Sequence, residues 1–194
     1  MTKPTLVLIH RWGATPESDW YPWLQAELLT QKIHLQIPKM PDANHPRIEP
    51  WIETIATLTP KPTASTFYIG HSVGVQAILR YLQRLPEKVK VGGVLSVAGW
   101  YSLQNLSSEE SQIADPWVHP PLDYAKILSH THQIQALFSD TDPFVSLLTA
   151  EQFQSTLNAK VTVVPNRGHF RQDEGIQSDE TILELVHKLI RSTK

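Results

Sequence analysis

The sequence predicts an α/β fold: a three-layer α/β/α sandwich around a central, mainly parallel sheet of six strands. Three observations carry this expectation. Short apolar runs rich in β-formers alternate along the chain with segments whose apolar residues recur at helical spacing, the pattern that sets parallel strands between two helical layers. The first run, Thr5-Leu6-Val7-Leu8-Ile9, is continuous rather than alternating, as a strand covered on both faces is. Between one apolar run and one helical segment stands Gly70-His71-Ser72-Val73-Gly74, a sharp strand-to-helix turn with glycines where side chains would collide.

The elements follow in order. After the first strand, His10-Arg11-Trp12-Gly13-Ala14-Thr15-Pro16 is a loop, and Ser18 or Asp19 caps a helix with Trp20, Trp23, Leu24, Leu28 and Leu29 on one face. A second strand runs from Ile33 to Ile37 and stops at Pro38. A loop over 40–46 leads into a helix from Ile48 to Leu58, with Ile48, Trp51, Ile52 and Ile55 inward. The third strand is Thr66 to Ile69, and Val73 to Leu85 is the helix behind the serine. Val89 to Ala98 is the fourth strand. Gly99 to Pro121 reads as a long irregular segment holding Trp100 and Trp117, and a loop of that length inside a compact domain is a candidate for function. A short helix at 124–128, a fifth strand at 134–138, a helix at 146–157, a sixth strand at 160–164 and a closing helix at 179–190 complete the chain. No repeat or linker divides it, so 1–194 reads as one domain.

Composition removes several classes of function. The 194 residues are 41% hydrophobic and 19% charged, with a net charge of −2. A balance of this kind gives no basic field for nucleic acid or an anionic membrane. Cysteine is absent, which removes disulfides, thiolate metal sites and cysteine nucleophiles and fits a reducing compartment. The only unbroken apolar run near the start is Leu6 to Ile9, too short for a signal sequence or a membrane span. The cytoplasm is the expected location. His130 and His132, two apart with no obvious third partner, read as polar surface rather than metal ligands.

The chemistry gathers at one rim. In a parallel sheet, ligands bind beyond the carboxyl ends of the strands, and the predicted strand ends carry His10 to Gly13, Ser72, Asp142 and His169. A serine hydroxyl attacks a carbonyl only when a base takes its proton and a third group orients that base. Ser72, Asp142 and His169 follow one another in the chain order of α/β-hydrolases. Asp140 competes with Asp142 for the acid, but reads better as a residue that ties the turn. His71 is expected to point to the far side of the turn and pack. The Val73 N–H, free at the start of a helix, is a donor for an oxyanion.

Several blocks resemble the small serine hydrolases related to retinoblastoma-binding protein 9 and bacterial YdeN. They are His10-Arg11-Trp12-Gly13-Ala14-Thr15-Pro16-Glu17-Ser18-Asp19-Trp20-Tyr21-Pro22-Trp23-Leu24, Pro38-Lys39-Met40-Pro41-Asp42, Trp51, Gly70 to Gly74, Asp142-Pro143-Phe144-Val145 and Gly168-His169-Phe170. The resemblance spans essentially the whole chain. It implies a minimal α/β-hydrolase without a large cap domain, with Ser72 as nucleophile, His169 as base, Asp142 as the acid, and no cofactor or metal. Relatives usually read His-Gly-x after the first strand. Arg11 stands in place of that glycine, and the Trp12 N–H becomes the expected second oxyanion donor.

The expected reaction is hydrolysis of a small or medium ester, thioester or amide through an acyl-enzyme, and it requires unprotonated His169. Trp12, Trp100 and Trp117 are candidates to line an acyl pocket. Arg11 is a candidate partner for a substrate carboxylate, with a solvent-facing side chain as the preferred alternative. Trp20, Trp23 and Trp51 are expected in the core. Two rival functions are acyl transfer to an acceptor other than water, and protein interaction on a silent hydrolase scaffold. Relatives are named for binding the retinoblastoma protein through a Leu-x-Cys-x-Glu motif, which a chain without cysteine lacks.

Overall fold

The computed structural model describes residues 3–191; residues 1–2 and 192–194 of the expected 1–194 domain lie outside the described residues. Six strands form one sheet: β1 (Thr5–Ile9), β2 (Leu35–Gln36), β3 (Thr66–His71), β4 (Gly93–Val97), β5 (Ile134–Ser139) and β6 (Lys160–Val164). Their order across the sheet is β2-β1-β3-β4-β5-β6, and every pairing is parallel. The helices are α1 (Tyr21–Thr30), α2 (Ile48–Leu58), α3 (Val73–Leu82), α4 (Ser108–Val118), α5 (Tyr124–His130), α6 (Leu148–Leu157) and α7 (Glu180–Arg191).

The pleat of the central strands divides the core in two. Along β1, Leu6 and Leu8 point to one face and Val7 and Ile9 to the other, because successive side chains alternate. The face of Leu6 and Leu8 is covered by Leu24 and Leu28 of α1 and by Ile182, Leu185, Val186 and Leu189 of α7. The opposite face is covered by α2, α3, α5 and α6, through residues such as Trp51, Ile78, Ile127 and Phe153. This is the expected three-layer sandwich. All four residues after Thr5 in β1 are buried, which is why that strand reads as an unbroken apolar run.

The structure corrects four local expectations. The second strand is only Leu35–Gln36, and the fourth begins at Gly93. Helix α1 starts at Tyr21, with Trp20 at its N-cap and no side-chain cap; the Asp19 carboxylate is engaged elsewhere, and Leu29 is exposed. The segment 99–121 is not irregular throughout, since it contains α4. That helix opens on a capping box in which Ser107 Oγ receives the Glu110 N–H and Glu110 Oε2 receives the Ser107 N–H. It buries only Ala114 and Trp117 and carries Pro116, so its apolar pattern is faint although its cap is written in the sequence. Among the described residues, no helix is long and apolar enough to cross a membrane.

Candidate active site

The site is built on the turn from β3 into α3. Ser72 sits at its apex with φ 55° and ψ −118°, a conformation that costs a non-glycine residue about 1–3 kcal/mol. Packing enforces it. A Cβ on Gly74 would lie 2.1 Å from the carbonyl oxygen of Ile9, and one on Gly70 would lie 2.7 Å from the Val75 backbone. Only hydrogen fits at either position, so β1 and α3 approach closely enough to pinch the turn outward. The Ser72 N–H is held by the Val97 carbonyl of β4 at 2.9 Å.

Asp142 and His169, the expected acid and base, stand just beyond the ends of β5 and β6. His169 Nδ1 lies 2.8 Å from Asp142 Oδ2. Asp142 is fixed in turn, because its Oδ1 receives the N–H groups of Phe144 and Val145 at 2.9 and 3.0 Å. The carboxylate is thereby oriented with one oxygen on its own loop and the other on the imidazole. Asp140 does something different: its Oδ1 receives the Asn166 N–H at 2.8 Å and joins the two loops. The His169 N–H is received by Glu174 Oε2 at 2.7 Å, and its ring meets Phe144 edge-on at 5.3 Å.

Ser72 and His169 open onto one cavity of about 160 Å³, which Arg11, Trp12, Leu103, Leu106, Glu110, Phe144 and Arg171 also line. Among the described residues, neither the Trp12 nor the Val73 N–H meets an acceptor. The peptide that carries the Trp12 N–H is held from behind. Its carbonyl, on Arg11, receives His10 Nδ1–H at 2.8 Å, while His10 Nε2 receives the Met40 N–H at 3.1 Å. Burial lowers the His10 pKa, in keeping with a neutral ring that donates on one side and accepts on the other.

The three residues expected to meet substrate are distributed differently. Trp117 does not line this cavity. It is 1% exposed, donates from Nε1 to the Pro46 carbonyl at 2.9 Å, and packs edge-on against Trp51. Trp100 lies behind the serine rather than along the cavity wall, and its Nε1–H donates to Ser72 Oγ at 3.2 Å. Arg11 does border the cavity, but neither as a free cation nor as a solvent-facing side chain. Its Nε and Nη2 donate to Asp19 at 2.8 and 3.1 Å, and its Nη1 donates to the Trp12 carbonyl at 2.9 Å.

Some of the site was not anticipated. Leu103 and Leu106 lie in the stretch read as irregular. Phe144 and Arg171 stand within two residues of Asp142 and His169, so adjacency to those two candidates was their available signal. His71 is buried as expected for a packing residue, yet it also makes hydrogen bonds at both ring nitrogens. Trp20 and Trp51 are buried in the core; Trp23 is partly buried against it. His130 is likewise inside, with Nδ1–H donated to the Val89 carbonyl at 2.8 Å, rather than on the surface.

Comparison with known proteins extends this picture. The family model described as serine hydrolase matches residues 6–188. YdeN of Bacillus subtilis is 30% identical over 193 residues, covering 99% of this chain and 96% of that one. The crystal structure of the YdeN gene product superposes with a TM-score of 0.89 over 97% of this chain and 100% of its own, at 26% identity. The serine hydrolase RBBP9 of Rattus norvegicus is 27% identical over 200 residues, covering 100% of this chain and 94% of that protein. Carboxylesterase CesB of Bacillus subtilis shares the fold, with a TM-score of 0.63 at 14% identity over 95% of this chain and 84% of its own.

Proposed function

The chain belongs to the serine hydrolase family, and we propose that it hydrolyses small carboxylic esters, thioesters or amides on a Ser72-His169-Asp142 triad carried by a single domain. The observation that carries this reading is the 2.8 Å contact of His169 Nδ1 with Asp142 Oδ2 beside a serine held at the apex of a strained turn. With its Nδ1–H given to Asp142, His169 presents Nε2 as an acceptor. The Ser72 hydroxyl transfers its proton there as Oγ attacks the substrate carbonyl. Asp142 stabilises the imidazolium that forms, and the Trp12 and Val73 N–H groups donate to the developing oxyanion, each worth about 3 kcal/mol in such sites. His169 returns the proton to the leaving group. Water then repeats the sequence on the acyl-enzyme and frees Ser72.

The size and lining of the cavity support a compact apolar acyl group. Its volume is about 160 Å³, and a dry cavity of ~150 Å³ is known to accommodate benzene. Trp12, Leu103, Leu106 and Phe144 supply the apolar wall. A volume of this order fits acyl groups of up to about six carbons. The absence of cysteine supports a place in the cytoplasm.

A panel of p-nitrophenyl esters of increasing acyl length tests the reading. We expect kcat/KM to peak at acetate to hexanoate and to fall about tenfold or more by decanoate. The loss of activity in Asp142→Asn and His169→Ala is expected to reach at least ~10³-fold. Full activity in either variant would refute the triad. A maximum at long acyl chains would refute the size argument.

A further inference from the structure

His71 is the last residue of β3 and precedes the serine, yet it lines no part of the cavity. Its ring is fully buried and held at both nitrogens. Nε2 lies 2.8 Å from the carbonyl oxygen of His169. A carbonyl only accepts, so Nε2 carries the proton and Nδ1 is left as an acceptor. Tyr21 Oη, at 2.7 Å from Nδ1, fills that acceptor. Burial and the neighbouring Asp19 carboxylate raise the Tyr21 pKa well above the ordinary phenol value, so the hydroxyl keeps the proton it donates. Tyr21 Oη itself receives the Arg11 N–H at 3.2 Å.

The donors and acceptors therefore form one directed chain: Arg11 N–H to Tyr21 O–H, Tyr21 to His71 Nδ1, and His71 Nε2–H to the His169 carbonyl. It begins on the loop that carries the Trp12 N–H and ends on the backbone of His169. A second tie runs beside it. The Asp19 carboxylate that holds the Arg11 side chain also receives the Gln172 N–H at 2.9 Å, and the Asp19 N–H donates to Gln172 Oε1 at 3.1 Å. Asp19 adopts φ 54° to do so. The loops after β1 and β6 are thus bridged twice beneath the cavity. None of Asp19, Tyr21 or His71 lines it.

We propose that Tyr21 and His71 are positioning residues, setting the His169 backbone and the Arg11–Trp12 peptide in register so that base and oxyanion donor meet the same substrate carbonyl. The proposal rests on the assignment of His169 and the Trp12 N–H made above. Its physical basis is geometric: a displacement of about 1 Å at a reacting group can cost ~10²-fold in rate. Because neither residue borders the cavity, their loss is expected to fall on kcat and not on KM.

Tyr21→Phe tests this by deleting one oxygen and keeping the ring. We expect kcat on p-nitrophenyl acetate to fall about 10- to 100-fold with KM within about threefold of wild type. Tyr68→Phe is the control, since Tyr68 is equally buried and its hydroxyl is 2.9 Å from Thr59 Oγ1, away from the site. It is expected to unfold at lower temperature with kcat within about twofold of wild type. His71→Gln, which keeps an N–H that reaches toward the His169 carbonyl, is expected to retain at least ~5-fold more kcat than His71→Leu. This pair decides the question if Tyr21→Phe does not fold. The proposal is overturned if Tyr21→Phe keeps wild-type kcat, if Tyr68→Phe loses as much, or if the two His71 variants are equal. A wild-type protein without esterase activity would instead overturn the hydrolytic reading on which the proposal stands.

Discussion

Trp100 donates its indole N–H to Ser72 Oγ, the oxygen that the proposed mechanism deprotonates as it attacks. A donor on Oγ stabilises charge as Ser72 attacks, and again as it is released from the acyl-enzyme. Its backbone is anchored by Gln76 Nε2, which donates to the Trp100 carbonyl, so the indole is not free to follow the serine. Trp100→Phe keeps the bulk and removes the N–H. We expect kcat to fall about tenfold, the equivalent of one neutral hydrogen bond of ~1.4 kcal/mol, with pre-steady-state acylation slowed in proportion. Unchanged acylation would make Trp100 a packing residue. The sequence marks Ser72, Asp142 and His169 as candidates because each lies in a short motif at a strand end. It hides Trp100 and the Arg11–Asp19 pair, because their roles depend on partners set by tertiary packing. Trp100 meets an atom 28 residues away. Arg11 meets a carboxylate whose neighbouring sequence reads only as a helix cap.

At the scale of elements, the roof of the site hangs on Arg80. This residue of α3 is 3% exposed, and its Nη2 donates to the carbonyls of Trp117 and Pro120 at 2.7 and 2.9 Å. These carbonyls lie at and just beyond the last turn of α4, where helix carbonyls lack internal partners and a cation is favourable. One end of the roof is therefore pinned to the helix behind Ser72. The segment from Leu103 to Glu110 at the other end contributes to the cavity wall. Arg80→Leu strands both carbonyls, and we expect a loss of about 2–4 kcal/mol. Urea unfolding should report that loss, and limited proteolysis should move into residues 101–121. Wild-type stability and an uncut segment would show that α4 is held by Trp117 packing alone. The pattern of this segment illustrates why α4 was hard to read: a helix that buries only Ala114 and Trp117 leaves no stripe at helical spacing, whereas α7, with four buried apolar residues, was legible almost to its ends.

At the scale of the whole molecule, the parallel sheet brings distant loops to one edge. The carboxyl ends of β1, β3, β5 and β6 lead to Trp12, Ser72, Asp142 and His169 in turn. That convergence could be read from the alternation of strands and helices, since a parallel sheet places all such loops on one side. The strand order and the precise extent of β2 and β4 could not, because pairing is settled by side chains that meet across the sheet. The fold also holds two histidines neutral, and this makes its stability depend on pH. Burial lowers the His10 pKa and, with the nearby His169 and Arg11, lowers that of His71 well below 6.5. Below pH 6.5 the unfolded chain thus binds more protons than the folded one. Stability is full above that value and is lost as pH falls toward the folded-state pKa values, at up to ~1.4 kcal/mol per pH unit for each histidine. Denaturant unfolding at pH 7.5 and 5.5 should show the decline. His71→Gln should flatten the slope by one histidine's share, and an unaltered slope would contradict the assignment.

The proposed mechanism makes Ser72 the nucleophile of an acyl-enzyme. Reaction with a fluorophosphonate probe, followed by peptide mass spectrometry, addresses it most directly. A single adduct on Ser72 is expected, formed by the wild-type protein and absent from Ser72→Ala. A wild-type protein that remains unmodified, or a Ser72→Ala variant that still labels, would contradict it.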